Sequence, residues 1–387
     1  MRLFINFALP PRVFTFLPLQ VLLLFLLNSC YTAEQGANFL KDQLRSRRIE
    51  SAAVRWPEYN PFFEETAQIR RYARDRIGLA DTKSYTTFIQ DDRDHIVTVV
   101  SAAAPLSFER KVWRFPVVGE VPYKGFYNES AALETARKLE REGWETMVRR
   151  VGAFSTLGYF RDPLYSYMAE YTPERLAAML IHEMTHATVW IRDDVSLNEA
   201  LATFVGDQGA LEYLQYRYGP DSPPYHDAVR RRNDRQRFQK FMLELATSLE
   251  KLYGTELDPE TKQEQKVATI AGAKASFAAN YDAWFSDDSY RGFLERTVNN
   301  AYIDLYRTYN ADIELIEELY HLRGNDLAAL VGAFRAVPSD TAPRTLLAEW
   351  LTGPSESEGG EESLAPEYAT DRNLPRQTQT PPPAQPL

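Results

Sequence analysis

Leu180-Ile181-His182-Glu183-Met184-Thr185-His186-Ala187, followed by Asn198-Glu199-Ala200, is the stretch on which the reading of the chain turns. Residues four apart on a helix share a face, so His182 and His186 can both aim their imidazoles at one ion. Glu183 follows the first histidine and can stand beside that ion without ligating it. From there it can take a proton from ion-bound water and later hand it to a leaving amine. A third protein ligand would leave one tetrahedral position open for the water, and Glu199 is the candidate. The ion such a donor set suits is a single Zn2+.

Outward from this core, Thr172-Pro173-Glu174 reads as a helix start, with Thr172 as N-cap and Pro173 at the first helical position. Leu176, Leu180, Met184, Ala187 and Ile191 then repeat at helical spacing as a core stripe. His182 and His186 fall nearly opposite, flanked by Met179 and Val189. A helix apolar on both faces is a buried central helix. Two histidines there need polar partners, which either a metal or a mutual hydrogen bond supplies. Glu199 has rivals. Ser196-Leu197-Asn198-Glu199 also reads as a capping box, and Asp193 and Asp194 lie nearer to His186. The two aspartates sit in a polar turn too close to the helix end to fold back. A glutamate at the start of the next helix reaches the site if the two helices pack antiparallel.

The 387 residues suffice for one large domain or two smaller ones, and 44% hydrophobic with 13% aromatic residues supports a core. A net charge of −10 argues against nucleic acid as partner. The single cysteine, Cys30, excludes an intramolecular disulfide. It follows a leader, residues 1–29, with Arg2 and Arg12, a short apolar run through Val21–Leu27, then Asn28-Ser29. That order is an export signal, too short and Pro-interrupted for a membrane span. Leu27-Asn28-Ser29-Cys30 resembles the bacterial lipobox, in which the cysteine is lipidated and becomes the mature N-terminus; an uncleaved anchor or ordinary signal cleavage is the alternative.

Two amphipathic helices are expected near 34–50 and 62–77, and strands at Ser84–Gln90, His95–Ala103 and Trp144–Val151. Arg110–Tyr127 reads as an ordered loop or edge strands, and Asn128–Gly143 as a helix using Ala131, Leu133, Ala136 and Leu139. Ala153–Phe160 is a short aromatic segment that could pair with an extended peptide or be an ordinary core strand. Helices follow at 200–219, 225–253, 260–284, 291–308, 311–322 and 325–335. The run Arg230, Arg231, Arg232, Arg235, Arg237 and Lys240 is expected as a solvated face, with anionic lipid as the rival partner. His95, His226 and His321 are expected at the surface. Tyr302, Tyr306 and Tyr309 are oxyanion candidates by chemistry alone, packing residues by number. Residues 353–387 are acidic, then Pro-rich, and cannot form a core; a disordered tail is expected.

His182-Glu183-Met184-Thr185-His186 with Asn198-Glu199-Ala200 resembles the gluzincin branch of zinc metallopeptidases. More narrowly, the chain is similar to a family of bacterial predicted aminopeptidases, many of them lipoproteins. The matching pieces also include Phe115-Pro116-Val117-Val118-Gly119, Val121-Pro122-Tyr123-Lys124-Gly125, Ser155-Thr156-Leu157-Gly158-Tyr159 and Asn299-Asn300-Ala301. The resemblance implies one zinc on His182, His186 and Glu199, with Glu183 as general base. Family members often carry cysteines flanking the Phe-Pro-Val segment, where this chain has Arg114 and Glu120, a pair that could form an ion pair instead. The spacing from His186 to Glu199 is short beside thermolysin-like enzymes, and the Gly-x-Met-Glu-Asn motif that holds a substrate's free amine is missing.

The expected fold is α+β, mainly helical and zincin-like. A mixed N-terminal lobe (about 80–200) and a helical C-terminal lobe (about 200–340) share a catalytic domain of residues 30–350. The expected function is zinc-dependent peptide-bond hydrolysis by an aminopeptidase. The protein would be lipid-anchored at Cys30 to the bacterial envelope, at the outer membrane facing the periplasm. A zinc endopeptidase, or a non-catalytic zinc-containing lipoprotein that binds peptides, is the alternative.

Overall fold

Three groups of buried side chains organise the molecule, and the metal-motif helix belongs to the largest. The computed structural model describes residues 41–115, 119–152, 162–192, 194–308, 310–337 and 343–352. The leader with Cys30, the segment Ala153–Phe160, Asp193, Tyr309 and the tail 353–387 lie outside the described residues. The described part is mainly helical α+β, as its patterning implies.

The largest group begins with α1 (Ile49–Arg55) and α2 (Asn60–Tyr72). They pack beside a small sheet ordered β1 (Arg47–Arg48), β2 (Thr87–Ile89) and β8 (Leu164–Tyr165). The stretch expected as one helix over 34–50 is thus interrupted, because Arg47 and Arg48 pair antiparallel with Phe88 and Thr87. Helices α4 (Pro173–Thr188) and α5 (Val195–Tyr218) run through this core. Helices α9 (Asn310–Leu322), α10 (Leu327–Arg335) and α11 (Pro343–Thr352) close it. Helix α4 starts as its sequence demands: the Thr172 side chain accepts from the Arg175 N–H and Pro173 occupies the first turn. Leu176, Leu180 and Met184 are buried on one side, Ala177, Ile181 and His186 on others, so both faces are covered. Ile191 is buried too, but beyond the helix end.

The second sheet, ordered β6 (Tyr123–Phe126), β3 (Val97–Ala103) and β7 (Glu145–Val151), is antiparallel throughout. Helix α3 (Glu129–Arg141) covers it. Its buried stripe is Ala132, Ala136 and Leu139, at i, i+4 and i+7. Leu133, expected inside, falls off that stripe and is exposed. Separately, β4 (Trp113–Phe115) and β5 (Gly119–Val121) form a two-stranded ladder that sets Arg114 opposite Glu120. The ion pair is there: Arg114 Nε donates to Glu120 Oε1 at 2.6 Å.

The third group joins α6 (Pro223–Tyr253), α7 (Pro259–Trp284) and α8 (Asn300–Thr308) through Phe238, Phe277, Phe285 and Phe293. The helix expected over 291–308 starts only at Asn300, after a single 3-10 turn at Arg291–Phe293. The Asn299-Asn300-Ala301 motif explains that start. Asn300 is fully buried, and its amide donates to the carbonyls of Ala104, Pro105 and Ser107, while Asn299 donates to Thr146 O. The motif therefore fastens α8 to the ends of β3 and β7.

Candidate metal centre and its cavity

Helix α4 ends at Thr188, and six residues later α5 returns along it. The contacts run in opposite senses: Glu199 meets His186 and His182, while Gly206, further along α5, lies against His182 and Ala178. The helices are antiparallel, the condition under which Glu199 reaches the histidines. Two glycines allow the close approach. A Cβ on Gly206 would stand 2.8 Å from the Ala178 carbonyl oxygen and 3.1 Å from His182 Cβ. One on Gly209 would meet the side chains of Ile77 and Ile181 at 2.9 and 3.2 Å.

The turn is tied by Asn198. Its Oδ1 accepts from Ile191 N at 2.8 Å, and its Nδ2 donates to Ile191 O at 2.6 Å and Asp194 O at 2.9 Å. Asp194, not Ser196, caps α5, its carboxylate accepting from Leu197 N. Ser196 donates instead to Asp312, so the capping-box reading of Ser196–Glu199 is overturned and Glu199 is released for the site. Asp194 is also held by Arg344 from α11, which leaves it no part in the triad.

His182 Nε2 and His186 Nε2 are 3.1 Å apart, and the Glu199 carboxylate oxygens lie 3.7 and 3.5 Å from them. Ligands about 2.0–2.1 Å from a tetrahedral zinc are separated by about 3.3 Å along each edge. Each carboxylate oxygen faces a different ring at a distance near that value, and one donor atom from each residue falls within 4.8 Å of the others, so the triad can hold a metal ion. Among the described residues it is the one group of histidine and carboxylate donors close enough to do so. Burial pushes His182 down to about 4 and His186 to about 3, with the neighbouring ring adding to the second. Both imidazoles are thus neutral and able to ligate. The Ala202 backbone beside the His182 ring opposes part of that fall. Burial raises Glu199, and the Arg149 charge on β7 opposes that rise.

Glu183 lines a cavity of about 570 Å³ together with His182. Met179 and Arg175 extend the lining along α4, and Arg231 of α6 and Tyr290 face them. Tyr85 shares the surroundings of Glu183: its hydroxyl is buried, and burial first, then the Glu183 charge, hold it well above the ordinary phenol value. Its φ of 60° is a left-handed conformation that a bulky side chain rarely takes. Tyr85 N donates to Asp162 O and Ser84 Oγ to Asp162 Oδ2, which holds that corner in place.

The arginine run of α6 is not the solvated face expected. Arg231 and Arg235 bond the buried Glu174, Arg235 also bonds Asp207, and Arg232 donates to Gln208. Only Arg230, Arg237 and Lys240 are exposed. Tyr302 and Tyr306 pack in the aromatic group around Phe293, away from the cavity lining. Sequence reasoning missed Tyr85, Arg149, Arg175, Arg231 and Tyr290. The one local signal was Arg149-Arg150 in a strand, where alternation must turn one of the two inward. His95 contacts Asp94 and Thr98, and His226 and His321 are exposed.

Three side chains that could hold a metal ion converge beside a cavity that one of them, His182, lines. The sequence model of the family described as "Putative aminopeptidase" matches residues 54–345, more than half of the chain and the span holding the whole site. The protein belongs to that family, and peptide-bond hydrolysis is the activity class that membership gives it. No curated protein and no solved structure matches the chain. No helix among the described residues is long and apolar enough to cross a membrane.

Proposed function

We propose that the protein is a zinc-dependent aminopeptidase of zincin type, with His182, His186 and Glu199 as ligands and Glu183 as general base. The observation that carries this reading is the convergence of the three donors within 4.8 Å of one another beside a cavity that Glu183 also lines. Zinc held there would supply a Lewis acid for the scissile carbonyl and a water acidic enough to attack at neutral pH. Glu183 accepts the proton and delivers it to the departing amine nitrogen. Burial keeps both imidazoles neutral, so each has a ring-nitrogen lone pair available to ligate, and the Arg149 charge favours Glu199 as the carboxylate.

Glu183→Gln tests the assignment. Zinc content, measured by mass spectrometry, should stay near one per chain while hydrolysis of aminoacyl and internally quenched peptides falls by about a thousandfold. Activity retained in that variant would remove Glu183 from the role. The same assay, run on membrane and soluble fractions of cells making the full chain, tests the lipid anchor at Cys30 and the envelope location. Activity confined to the soluble fraction would remove the anchor.

A further inference from the structure

The cavity beside the triad carries guanidinium donors that its own carboxylates engage only in part. Arg175, Met179 and His182 lie at i, i+4 and i+7 on one face of α4 and all line it. Arg231 enters from α6 across the gap. Its Nε donates to Glu174 Oε2 at 2.6 Å, and its two terminal nitrogens have no acceptor among the described residues. Arg235 differs: both of its terminal nitrogens are engaged, by Glu174 and Asp207. Arg175 is exposed and has no carboxylate partner among the described residues; its guanidinium lies 3.7 Å over the Tyr171 ring.

Four acids of the same wall, Glu174, Asp207, Asp234 and Asp287, have hydrogen-bond partners of their own. Glu174 takes two arginines and Asp207 one. Asp234 accepts from Ser286 N and Oγ, and Asp287 from Ser289 N. Asp287 feels the Arg231 charge without bonding it. Arg175 and Arg231 are thus two guanidinium groups of one lining with N–H donors still available, and such groups bind carboxylates in a planar, two-pronged manner.

The geometry points to a substrate-carboxylate subsite formed by Arg175 and Arg231. It deepens the peptidase reading and rests on it. Seven residues at 1.5 Å each set Arg175 about 10 Å along the helix axis from His182. An extended peptide covers that distance in about three residues. The ligand is therefore a carboxylate about three residues from the bond cut, either the free C-terminus of a short peptide or an acidic side chain.

The test uses the zinc-loaded full chain and tri- and tetra-alanine peptides, each with a free or an amidated C-terminus. An amidated tetrapeptide with glutamate at the third position is the further arm. Amidation should raise KM at least tenfold with kcat little changed, and the glutamate peptide should recover the loss if a side chain serves equally. Arg175→Ala and Arg231→Gln should each erase the difference between free and amidated peptides, while the exposed Arg237→Ala, outside the cavity, should preserve it. Equal KM values for free and amidated peptides in the unaltered protein would overturn the subsite. If no peptide is cut at all, the peptidase reading fails. The subsite is then judged by binding of the same peptides, measured by calorimetry. Tighter binding of the free acids that is lost in Arg175→Ala supports it, and equal binding overturns it. Because Arg231 also supports Glu174, the exposed Arg175 provides the variant that leaves the core intact.

Discussion

Two polar clasps hold connections in this molecule, and they differ in where they sit. Asn198 ties the turn between α4 and α5 from inside the protein, 2% exposed, with three hydrogen bonds to backbone groups of Ile191 and Asp194. Arg114 and Glu120 tie β4 to β5 at the surface, with side chains 85% and 56% exposed. Both look like clasps in a list of contacts. Water competes for the second and not for the first, so they are worth very different amounts. A disulfide at the second place would close it covalently; an exposed ion pair cannot do the same.

Removing the buried clasp should have the largest effect. Asn198→Ala leaves the Ile191 N–H and C=O without their partner in a dry turn, a cost of about 3 kcal/mol in stability. The turn carries Glu199, so under the proposed ligation zinc affinity, read by competition with a chelator, should fall by more than tenfold as well. A variant with unaltered affinity would separate the clasp from the site. Gly206→Ala comes next. It adds about 1 kcal/mol of helix preference but sets a Cβ against the Ala178 carbonyl, a backbone atom that cannot step aside. The net cost should be about 1–2 kcal/mol by chemical denaturation, again with weaker zinc binding because His182 is the other atom group in the way. An increase in stability would mean that α4 and α5 are less tightly apposed than described. Glu120→Ala should be smallest, within about 0.5 kcal/mol and shrinking further in added salt. A loss of several kcal/mol there would overturn the contrast.

The same distinction explains what could be read beforehand. The start of α4 at Thr172-Pro173, its two apolar faces and the pairing of His182 with His186 are all consequences of spacing within one helix. Ion pairing of Arg114 with Glu120 was legible because the segment between them is short. The role of Glu199 was legible only conditionally, since Ser196 offered a plausible cap and Asp194 turned out to hold it. The arginines of α6 were misread as a solvated face because their partners, Glu174 and Asp207, are 57 and 28 residues away in sequence. Tyr85 carries no local sign of its left-handed backbone, which Asp162 enforces from across the fold.

By itself the sequence determined that two imidazoles stand one turn apart with a carboxylate beside them, because helical periodicity is a local property of the backbone. Only the tertiary structure decided that Glu199 completes the triad, that Gly206 lets α5 approach closely enough, and that Arg175 and Arg231 share a cavity wall. Each of those depends on the distance between two helices. That distance is set by the volumes of the side chains packed between them, which no single stretch of the chain contains.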